Sequence, residues 1–255
     1  MREGGGIISH ADLENYESKY RKPVIGKFHG FDVVSMGPPS SGGALLIHML
    51  NMTKHFELDS LGWNSSNYIH VLTEIERRAY ADRAEHMGDM DFWKVPLSMI
   101  ASETYAEERA KTITMEKATP SAMVFAGDPL PYESPETTHY SVMDANGNAV
   151  SVTTTINTGF GSGVVVEGAG FFLNNEMDDF SAKPGSPNYF GLVGKESNSI
   201  EPMKRPLSSM TPTILLKDEK PVIVVGSPGG GKIITTVFQT ILNRVVFGMD
   251  IQTAV

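Results

Sequence analysis

The most regular hydrophobic pattern in the chain covers residues 67–85, where apolar side chains recur every three or four positions. This spacing places them on one face of an α-helix. A second helix is predicted over 103–116.

Nearer the N-terminus, Ser9 precedes Asp12 by three residues, which resembles an N-cap and predicts a short helix over 11–16. Residues 44–54 and 233–246 are apolar over much of their length and predict two further helices.

A different pattern, the alternation of apolar and polar residues, predicts β-strands at 28–35, 139–144 and 149–156. The Asn146-Gly147 pair between the last two is a strong signal for a β-hairpin. Further strands are predicted at 170–173, 213–217 and 222–225. Helices followed by strands and then by another helix favour an α+β fold built from layers.

Residues 117–136 separate the mainly helical part of the chain from the mainly β part. They contain four prolines, which exclude a continuous helix, and the residues between the prolines are mostly polar or small. We interpret this segment as a linker. It divides the chain into residues 1–136 and 137–255.

The composition narrows the possible partners. The chain has 255 residues and a formal net charge of −9, and it has no basic stripe that could neutralise nucleic-acid phosphates. The absence of cysteine excludes disulfides, thiol catalysis and cysteine-ligated metals. No apolar stretch is long enough to cross a membrane, and the N-terminus lacks the order of a signal peptide. Both ends resemble the interior of a domain, so we expect the chain to be part of a longer protein.

The first candidate for chemistry is the segment TTHYS at 137–141, which follows the linker and begins a strand. A threonine hydroxyl is a poor nucleophile unless a base lies beside it. Cleavage before Thr137 would provide that base as the threonine's own α-amine. The alternative is that threonine is simply a good strand former, and composition alone favours this alternative. We expect His139 to be a hydrogen-bonded structural residue.

The second candidate is the segment GSPGGGK at 226–232, between a predicted strand and a predicted helix. It nearly matches a nucleotide-binding P-loop, but Ile233 replaces the hydroxyl that would hold Mg²⁺ and Pro228 lacks a backbone N–H. The glycine N–H groups could instead form an oxyanion hole. A tight turn without catalytic function is the third interpretation.

The third candidate is a pair of polar segments, NNEMDD at 174–179 and RPLSS at 205–209. Paired acids are suited to acid–base catalysis, to binding a cation or to holding a substrate ammonium group. Solvated loops have the same composition. The seven histidines lack metal-ligand spacing, so no metal site is predicted.

Taken together, these segments resemble the γ-glutamyltranspeptidase family of N-terminal-nucleophile hydrolases. The resemblance rests on PPSSGG at 38–43, YADR at 80–83, TTHYS at 137–141, NNEMDDF at 174–180, KRPLSSM at 204–210 and GSPGG at 226–230. They occur in the family's order and spacing across nearly the whole chain.

The resemblance implies a four-layer αββα sandwich, of which this chain would form a part, and a precursor that cleaves itself between Glu136 and Thr137. Residues 1–136 would be the C-terminal part of the large subunit, ending in the proline-rich linker. Residues 137–255 would be the small catalytic subunit, truncated at its C-terminus.

The resemblance also assigns roles to individual residues. Thr137 would be the nucleophile for both self-cleavage and turnover, and Thr155 would hydrogen-bond it. Gly229 and Gly230 would supply the oxyanion-hole N–H groups. The residues that would hold the glutamyl α-amino group are Asn157, Glu176 and Asp179, and those that would hold its α-carboxylate are Ser208 and Ser209.

Residues 181–202 resemble the lid loop of the family, which relatives acting on poly-γ-glutamate lack. The length of this loop favours small substrates such as glutathione. Phe190 occupies the position of a gating tyrosine in many relatives, with Tyr189 beside it. The arginine that the family uses for the α-carboxylate would lie outside this chain.

The implied activity is γ-glutamyl hydrolysis and transfer to amino-acid or peptide acceptors, without a metal or organic cofactor. The alternatives are a related acylase or poly-γ-glutamate-processing enzyme and, from another class, a P-loop-like nucleotide-binding protein. The implied partners are small γ-glutamyl molecules and the other subunit of the same precursor. The implied location is the periplasm or the cell exterior.

Overall fold

The computed structural model of the chain describes residues 4–124, 137–189 and 191–255. Its helices are α1 His10–Asn15, α2 Gly42–Thr53, α3 Leu58–Leu61, α4 Ser66–His86, α5 Leu97–Ile100, α6 Glu103–Ala110, α7 Ile233–Val245 and α8 Ile251–Ala254. Its strands are β1 Val24–Phe28, β2 Phe31–Ser35, β3 Thr138–Met143, β4 Ala149–Thr154, β5 Thr213–Lys217 and β6 Lys220–Val225. None of these helices is both long and apolar enough to span a membrane.

Helix α2 lies at the centre of the helical layer, and all 12 of its residues are buried. Helices α4, α6 and α7 pack against it, as do strands β1 and β2. Leu46 and Met49 are completely buried, and each side chain of this size contributes roughly 1.5–3 kcal/mol when it leaves water. No side chain caps the start of α2. Packing therefore holds this helix in place.

Helix α4 runs beside α2 and leads to the cavity described below. It begins where the Ser65 hydroxyl accepts a hydrogen bond from the Tyr68 N–H, at 3.1 Å, which satisfies one free donor of the first turn. Buried Glu74 and Arg78 form an ion pair at 2.6 Å. Glu74 also accepts a hydrogen bond from the Thr119 hydroxyl, at 2.6 Å, so α4 anchors the start of the linker.

The main sheet contains four antiparallel strands in the order β1-β2-β5-β6. Strands β1 and β2 precede the linker, and β5 and β6 follow it. The central pairing, β2 with β5, sets Val33 opposite Leu215, and both side chains point into the core with exposures of at most 1%. The two parts of the chain therefore share one sheet and one core.

Strands β3 and β4 form a separate hairpin that packs against β5 and β6. The Ser141 hydroxyl donates to the Val224 carbonyl at 3.2 Å, and the Ser151 hydroxyl donates to the Val225 carbonyl at the same distance. The helices, the four-stranded sheet and the β3–β4 hairpin form three successive layers. The predicted α+β class and its αββα sandwich, present here in part, are thus confirmed.

Several predicted boundaries differ from the structure. Residues 28–35 are not one strand, because His29 and Gly30 adopt φ values of 47° and 82° and turn the chain from β1 into β2. The predicted strand at 170–173 is wrong: only an isolated bridge joins Phe172 to Val165. The helix predicted over 103–116 ends at Ala110.

Candidate active site

A cavity of about 150 Å³ lies between the hairpin, the helical layer and the loops around the glycine-rich turn. Its wall contains seven of the residues that the sequence singles out, namely Thr137, Thr155, Asn157, Asp179, Ser208, Ser209 and Gly230. Arg83 from α4 lies in the same wall. The fold thus brings together residues from both sides of the linker.

Thr137 and Thr155 flank the open end of the β3–β4 hairpin. The last pair of the hairpin at this end is Thr138 with Thr154, and the residues just beyond this pair, Thr137 and Thr155, both lie in the cavity wall. The Thr155 hydroxyl accepts a hydrogen bond from the Asn157 N–H at 2.9 Å, which fixes its position.

Asn157 occupies a sharp bend after β4. Its φ of 51° lies in the left-handed region, which asparagine tolerates better than most residues. Its side chain is buried, and its Nδ2 makes no hydrogen bond of ordinary geometry to another described residue. The amide nevertheless lies close enough to Asp179 to lower the pKa of that carboxyl. The bend therefore directs the side-chain amide of Asn157 toward Asp179 in the cavity wall.

The carboxyl groups of Asp179 and Glu176 are less acidic than usual. Burial raises the pKa of Asp179 to about 6, although the Asn157 amide and the positive charge of Arg83 oppose the increase. Burial, together with the negative charge of Asp179, raises the pKa of Glu176 to about 7. A cation placed between them would stabilise both charged forms. Glu176 contributes to the wall of a neighbouring cavity, which it shares with Lys204.

The segment PPSSGG at 38–43 braces the serine loop, residues 204–211, which carries Ser208 and Ser209. The Ser208 carbonyl accepts hydrogen bonds from the N–H and the hydroxyl of Ser41, both at 2.9 Å. The Ser208 N–H donates to the Pro39 carbonyl at 3.0 Å. The Ser40 hydroxyl donates to the Met210 carbonyl at 2.7 Å. These bonds fix the backbone on both sides of Ser209.

Arg83 is a site residue to which the sequence assigned no role. It is 4% exposed, and its guanidinium donates to the Ser41 hydroxyl at 3.0 Å and to the Ser209 hydroxyl at 3.1 Å. A buried guanidinium is costly unless its donors are satisfied, and these hydroxyls satisfy part of them. In the sequence, only the YADR motif draws attention to Arg83. No local pattern shows that this face of α4 contacts the serine loop.

The glycine-rich turn at 226–232 links β6 to α7 and reaches the cavity wall. Gly229 and Gly230 have φ values of 132° and 54°, and a residue with a Cβ atom rarely adopts such conformations. Gly230 and Gly231 lie in the cavity wall, whereas Gly229 lies outside it. Ile233 is buried at 2% exposure where a P-loop has its hydroxyl. The geometry of this turn gives no support to the nucleotide-binding alternative.

His139 packs behind the glycine-rich turn. A Cβ atom on Gly226 would lie 2.2 Å from its ring, so only glycine fits there. The ring nitrogens contact the hydroxyls of Thr153 at 2.8 Å and Ser141 at 3.1 Å, and burial lowers the pKa of His139. The residue is hydrogen-bonded and structural, as the sequence predicts, and it joins the hairpin to the turn.

The segment predicted as a lid, residues 181–202, supplies a large part of the cavity wall. Tyr189 is 57% exposed and does not line the cavity. Its N–H donates to the Asp178 carboxylate at 2.6 Å, which joins the loop to the acidic segment. The predicted gating residue Phe190 and the predicted cleavage residue Glu136 lie outside the described residues.

The arrangement is suited to acyl transfer on a small zwitterionic amide. The wall of one small cavity contains Thr137, two glycines of the turn at 226–232, Asp179, Ser208 and Ser209. Within residues 4–124, 137–189 and 191–255, no cluster of three or more histidine, aspartate or glutamate side chains is arranged to hold a metal ion.

Comparison with known proteins identifies the family. The sequence model described as gamma-glutamyltranspeptidase matches residues 1–255. The glutathione hydrolase proenzyme of Escherichia coli K12 is 48% identical over 254 residues, which are 100% of this chain and 44% of that protein. The acylase ACY 1 proenzyme of Pseudomonas sp. SE83 is 37% identical over 255 residues, 100% of this chain and 43% of that protein. The chain thus spans less than half the length of these relatives.

A solved structure confirms the fold. The cephalosporin acylase from Bacillus halodurans superimposes with a TM-score of 0.79 over 99% of this chain and 43% of its own, at 24% sequence identity. A sequence identity of 24% is too low to transfer an activity. The superposition itself supports the layered α+β architecture. The match of the family model to every residue, together with the identity to the curated relatives, shows that this chain belongs to the γ-glutamyltranspeptidase family.

Proposed function

We propose that the protein containing this chain catalyses hydrolysis and transfer of γ-glutamyl groups from glutathione and related compounds, through an acyl-enzyme on Thr137. The observation that carries the proposal is that the wall of one cavity contains Thr137, Asp179, Ser208 and Ser209. A γ-glutamyl group has an ammonium and a carboxylate at one end and a reactive carbonyl at the other. The cavity offers a complementary group for each.

Self-cleavage would generate the active nucleophile. The Thr137 hydroxyl oxygen attacks the carbonyl carbon of Glu136, and the peptide C–N bond breaks as its nitrogen becomes the free α-amine of Thr137. Water then hydrolyses the resulting ester and restores the hydroxyl. The freed amine is the base that the threonine needs in turnover.

Turnover would follow the same chemistry. The amine takes the Thr137 hydroxyl proton as the oxygen attacks the γ-carbonyl, and the departing amine of the substrate receives that proton. The glycine N–H groups stabilise the negative oxygen of the tetrahedral intermediate. Water or an acceptor amine then releases the γ-glutamyl group from Thr137. Thr155, which lies with Thr137 at the open end of the hairpin, orients the nucleophile.

Substrate recognition would rest on two neighbouring groups of side chains around the α-carbon of the glutamyl group. Asp179, Glu176 and Asn157 hold the α-ammonium group, and Ser208 and Ser209 hold the α-carboxylate. Fixing these charges orients the γ-carbonyl toward Thr137, and orientation of this kind can lower a barrier by several kcal/mol, roughly 7–11 in the best cases. The loop that resembles a lid favours small substrates over a polymer.

We further propose that residues 1–136 are the C-terminal part of the large subunit and residues 137–255 belong to the small subunit of one precursor. The shared sheet supports this proposal, because β2 and β5 would keep the two products associated after cleavage. We place the mature enzyme in the periplasm or at the cell exterior by family resemblance.

An acylase is the second candidate, and the relative named acylase ACY 1 proenzyme favours it. Steady-state rates with a γ-glutamyl anilide, an N-acylated β-lactam and poly-γ-glutamate distinguish the candidates, with Thr137→Ala as the control. We expect the γ-glutamyl anilide to be turned over much faster than the other two, and the control to be inactive. A preference for the β-lactam or the polymer would replace the proposed substrate class, and an active Thr137→Ala protein would exclude Thr137 as the nucleophile.

A further inference from the structure

Tyr80 connects helix α4 to the glycine-rich turn. It lies three positions before Arg83, so the two side chains project from neighbouring positions on the same face of the helix. While Arg83 reaches the serine loop, the Tyr80 hydroxyl donates a hydrogen bond to the carbonyl of Gly231. One helical turn of α4 therefore contacts both the serine loop and the predicted oxyanion hole.

The hydrogen bond from Tyr80 acts on a short series of rigid groups. The carbonyl of Gly231 and the N–H of Lys232 belong to one planar peptide group, so fixing one fixes the other. The Lys232 N–H donates to the Gly229 carbonyl at 3.0 Å. That carbonyl shares its peptide plane with the N–H of Gly230, the residue in the cavity wall. Two peptide planes thus connect the tyrosine hydroxyl to a predicted oxyanion donor.

This turn needs external support because its own conformation is unusual. Gly229 and Gly230 have φ values that are open chiefly to glycine, and glycine has the greatest backbone freedom of any residue. The 3-10 turn over Gly230–Lys232 supplies two internal hydrogen bonds, from the Lys232 N–H to the Gly229 carbonyl and from the Ile233 N–H to the Gly230 carbonyl. The hydroxyl of Tyr80 adds a contact from a different element, 151 positions away in the sequence.

We propose that Tyr80 is a positioning residue for the oxyanion hole: its hydroxyl holds the Gly231 carbonyl and thereby aims the Gly230 N–H at the oxygen of the tetrahedral intermediate. The inference rests on the proposed acyl-transfer function. Tyr80 itself need not touch the substrate. Its contribution is to the transition state, in which negative charge develops on that oxygen.

The test compares Tyr80→Phe with Tyr68→Phe in the processed enzyme. Both changes remove one hydroxyl from α4, but Tyr68 packs its ring against Phe247, whereas Tyr80 donates to the Gly231 carbonyl. We expect Tyr80→Phe to lower kcat for a γ-glutamyl anilide by about tenfold to a hundredfold with KM nearly unchanged, because a misplaced oxyanion donor costs transition-state stabilisation. Tyr68→Phe should leave kcat unchanged, and both variants should be cleaved and melt within a few degrees of the wild type.

A second measurement separates positioning from a general structural role. The probe is a glutamate analogue with a boronic acid in place of the γ-carboxyl group, which forms a tetrahedral anion when the Thr137 oxygen adds to boron. Tyr80→Phe should weaken inhibition by this probe about tenfold or more, while inhibition by glutamate changes less than about twofold.

The possible outcomes distinguish the two proposals. If the wild-type enzyme does not act on γ-glutamyl compounds, the proposed function fails. If it does, and Tyr80→Phe retains the kcat of Tyr68→Phe or loses affinity for glutamate and the boronate equally, the role assigned to Tyr80 is wrong.

Discussion

Two carboxyl groups lie close together at the site, Asp179 in the cavity wall and Glu176 in the wall of the neighbouring cavity. Asp179 and Glu176 are held in surroundings that raise the pKa of each, and burial is the main cause for both. Such carboxyls are poor partners for one another and good partners for a bound ammonium group. Their raised pKa values suggest that substrate binding, rather than folding, is what favours their ionised forms.

Substrate affinity should therefore depend on pH. A carboxyl with a pKa of about 6, as for Asp179, is ionised above that pH and protonated below it, and only the ionised form attracts an ammonium group. We expect KM for a γ-glutamyl anilide to rise as the pH falls through about 7 to 5. Asp179→Asn should raise KM about tenfold or more at neutral pH and flatten this dependence. A KM that is constant with pH in the wild type, or a variant with unchanged KM, would contradict the assignment.

A motif match in the sequence assigned Thr137, Thr155, Asn157 and Asp179 to one site. All four lie in the cavity wall, although the role of each stays a prediction. Arg83 was quoted only as part of a motif, because its partners Ser41 and Ser209 lie on two other segments. Its role depends on how α4 packs, and local sequence does not encode that.

At the level of elements, strong local signals were the most reliable. Helix α4 matches its prediction to within one residue at each end, since its apolar face repeats over more than five turns. The Asn146-Gly147 turn correctly located the β3–β4 hairpin. The β1–β2 turn was missed because His29-Gly30 is a weaker turn signal. The strand at 170–173 failed because Gly168 and Gly170, with φ values of 81° and 73°, bend the chain.

The close contact between α2 and the serine loop gives an element-level prediction. A Cβ atom on Gly42 would lie 2.3 Å from the Thr211 hydroxyl and 2.4 Å from the Met210 carbonyl oxygen. Gly42→Ala should therefore push the two elements apart, lower the free energy of unfolding by about 1–3 kcal/mol and raise KM. Denaturant titration and steady-state kinetics measure these effects.

Gly4→Ala is the control for this change, because nothing lies within 4 Å of a Cβ atom there. It should behave as the wild type in both assays. If Gly42→Ala were as stable and as active as Gly4→Ala, the PPSSGG segment would not brace the serine loop in the way described.

For the molecule as a whole, the main sheet and the core extend across the linker. Strand β2 pairs with β5, and α2 packs against α7. Cutting the chain before Thr137 would leave these contacts intact. The sequence indicated the two parts through the proline-rich segment, but it could not show that they share a sheet, because strand pairing between distant segments leaves no local pattern.

The two products of cleavage should consequently remain together. In size-exclusion chromatography under native conditions we expect them to elute as one species and to unfold in one transition. In denaturant they should separate into two chains. Elution as two separate species in native buffer would show that the shared sheet does not hold the products together.

Self-cleavage is tested most directly by the intact mass of the purified protein under denaturing conditions after prolonged incubation, beside a Thr137→Ala control. We expect two fragments that meet between Glu136 and Thr137 in the wild type and a single uncut chain in the control. The test is decisive in the longest natural form of the protein, since this chain covers 44% of its Escherichia coli relative. An uncut wild-type protein of that length, or a control that is cleaved at the same bond, would contradict the central claim that Thr137 generates itself as the nucleophile.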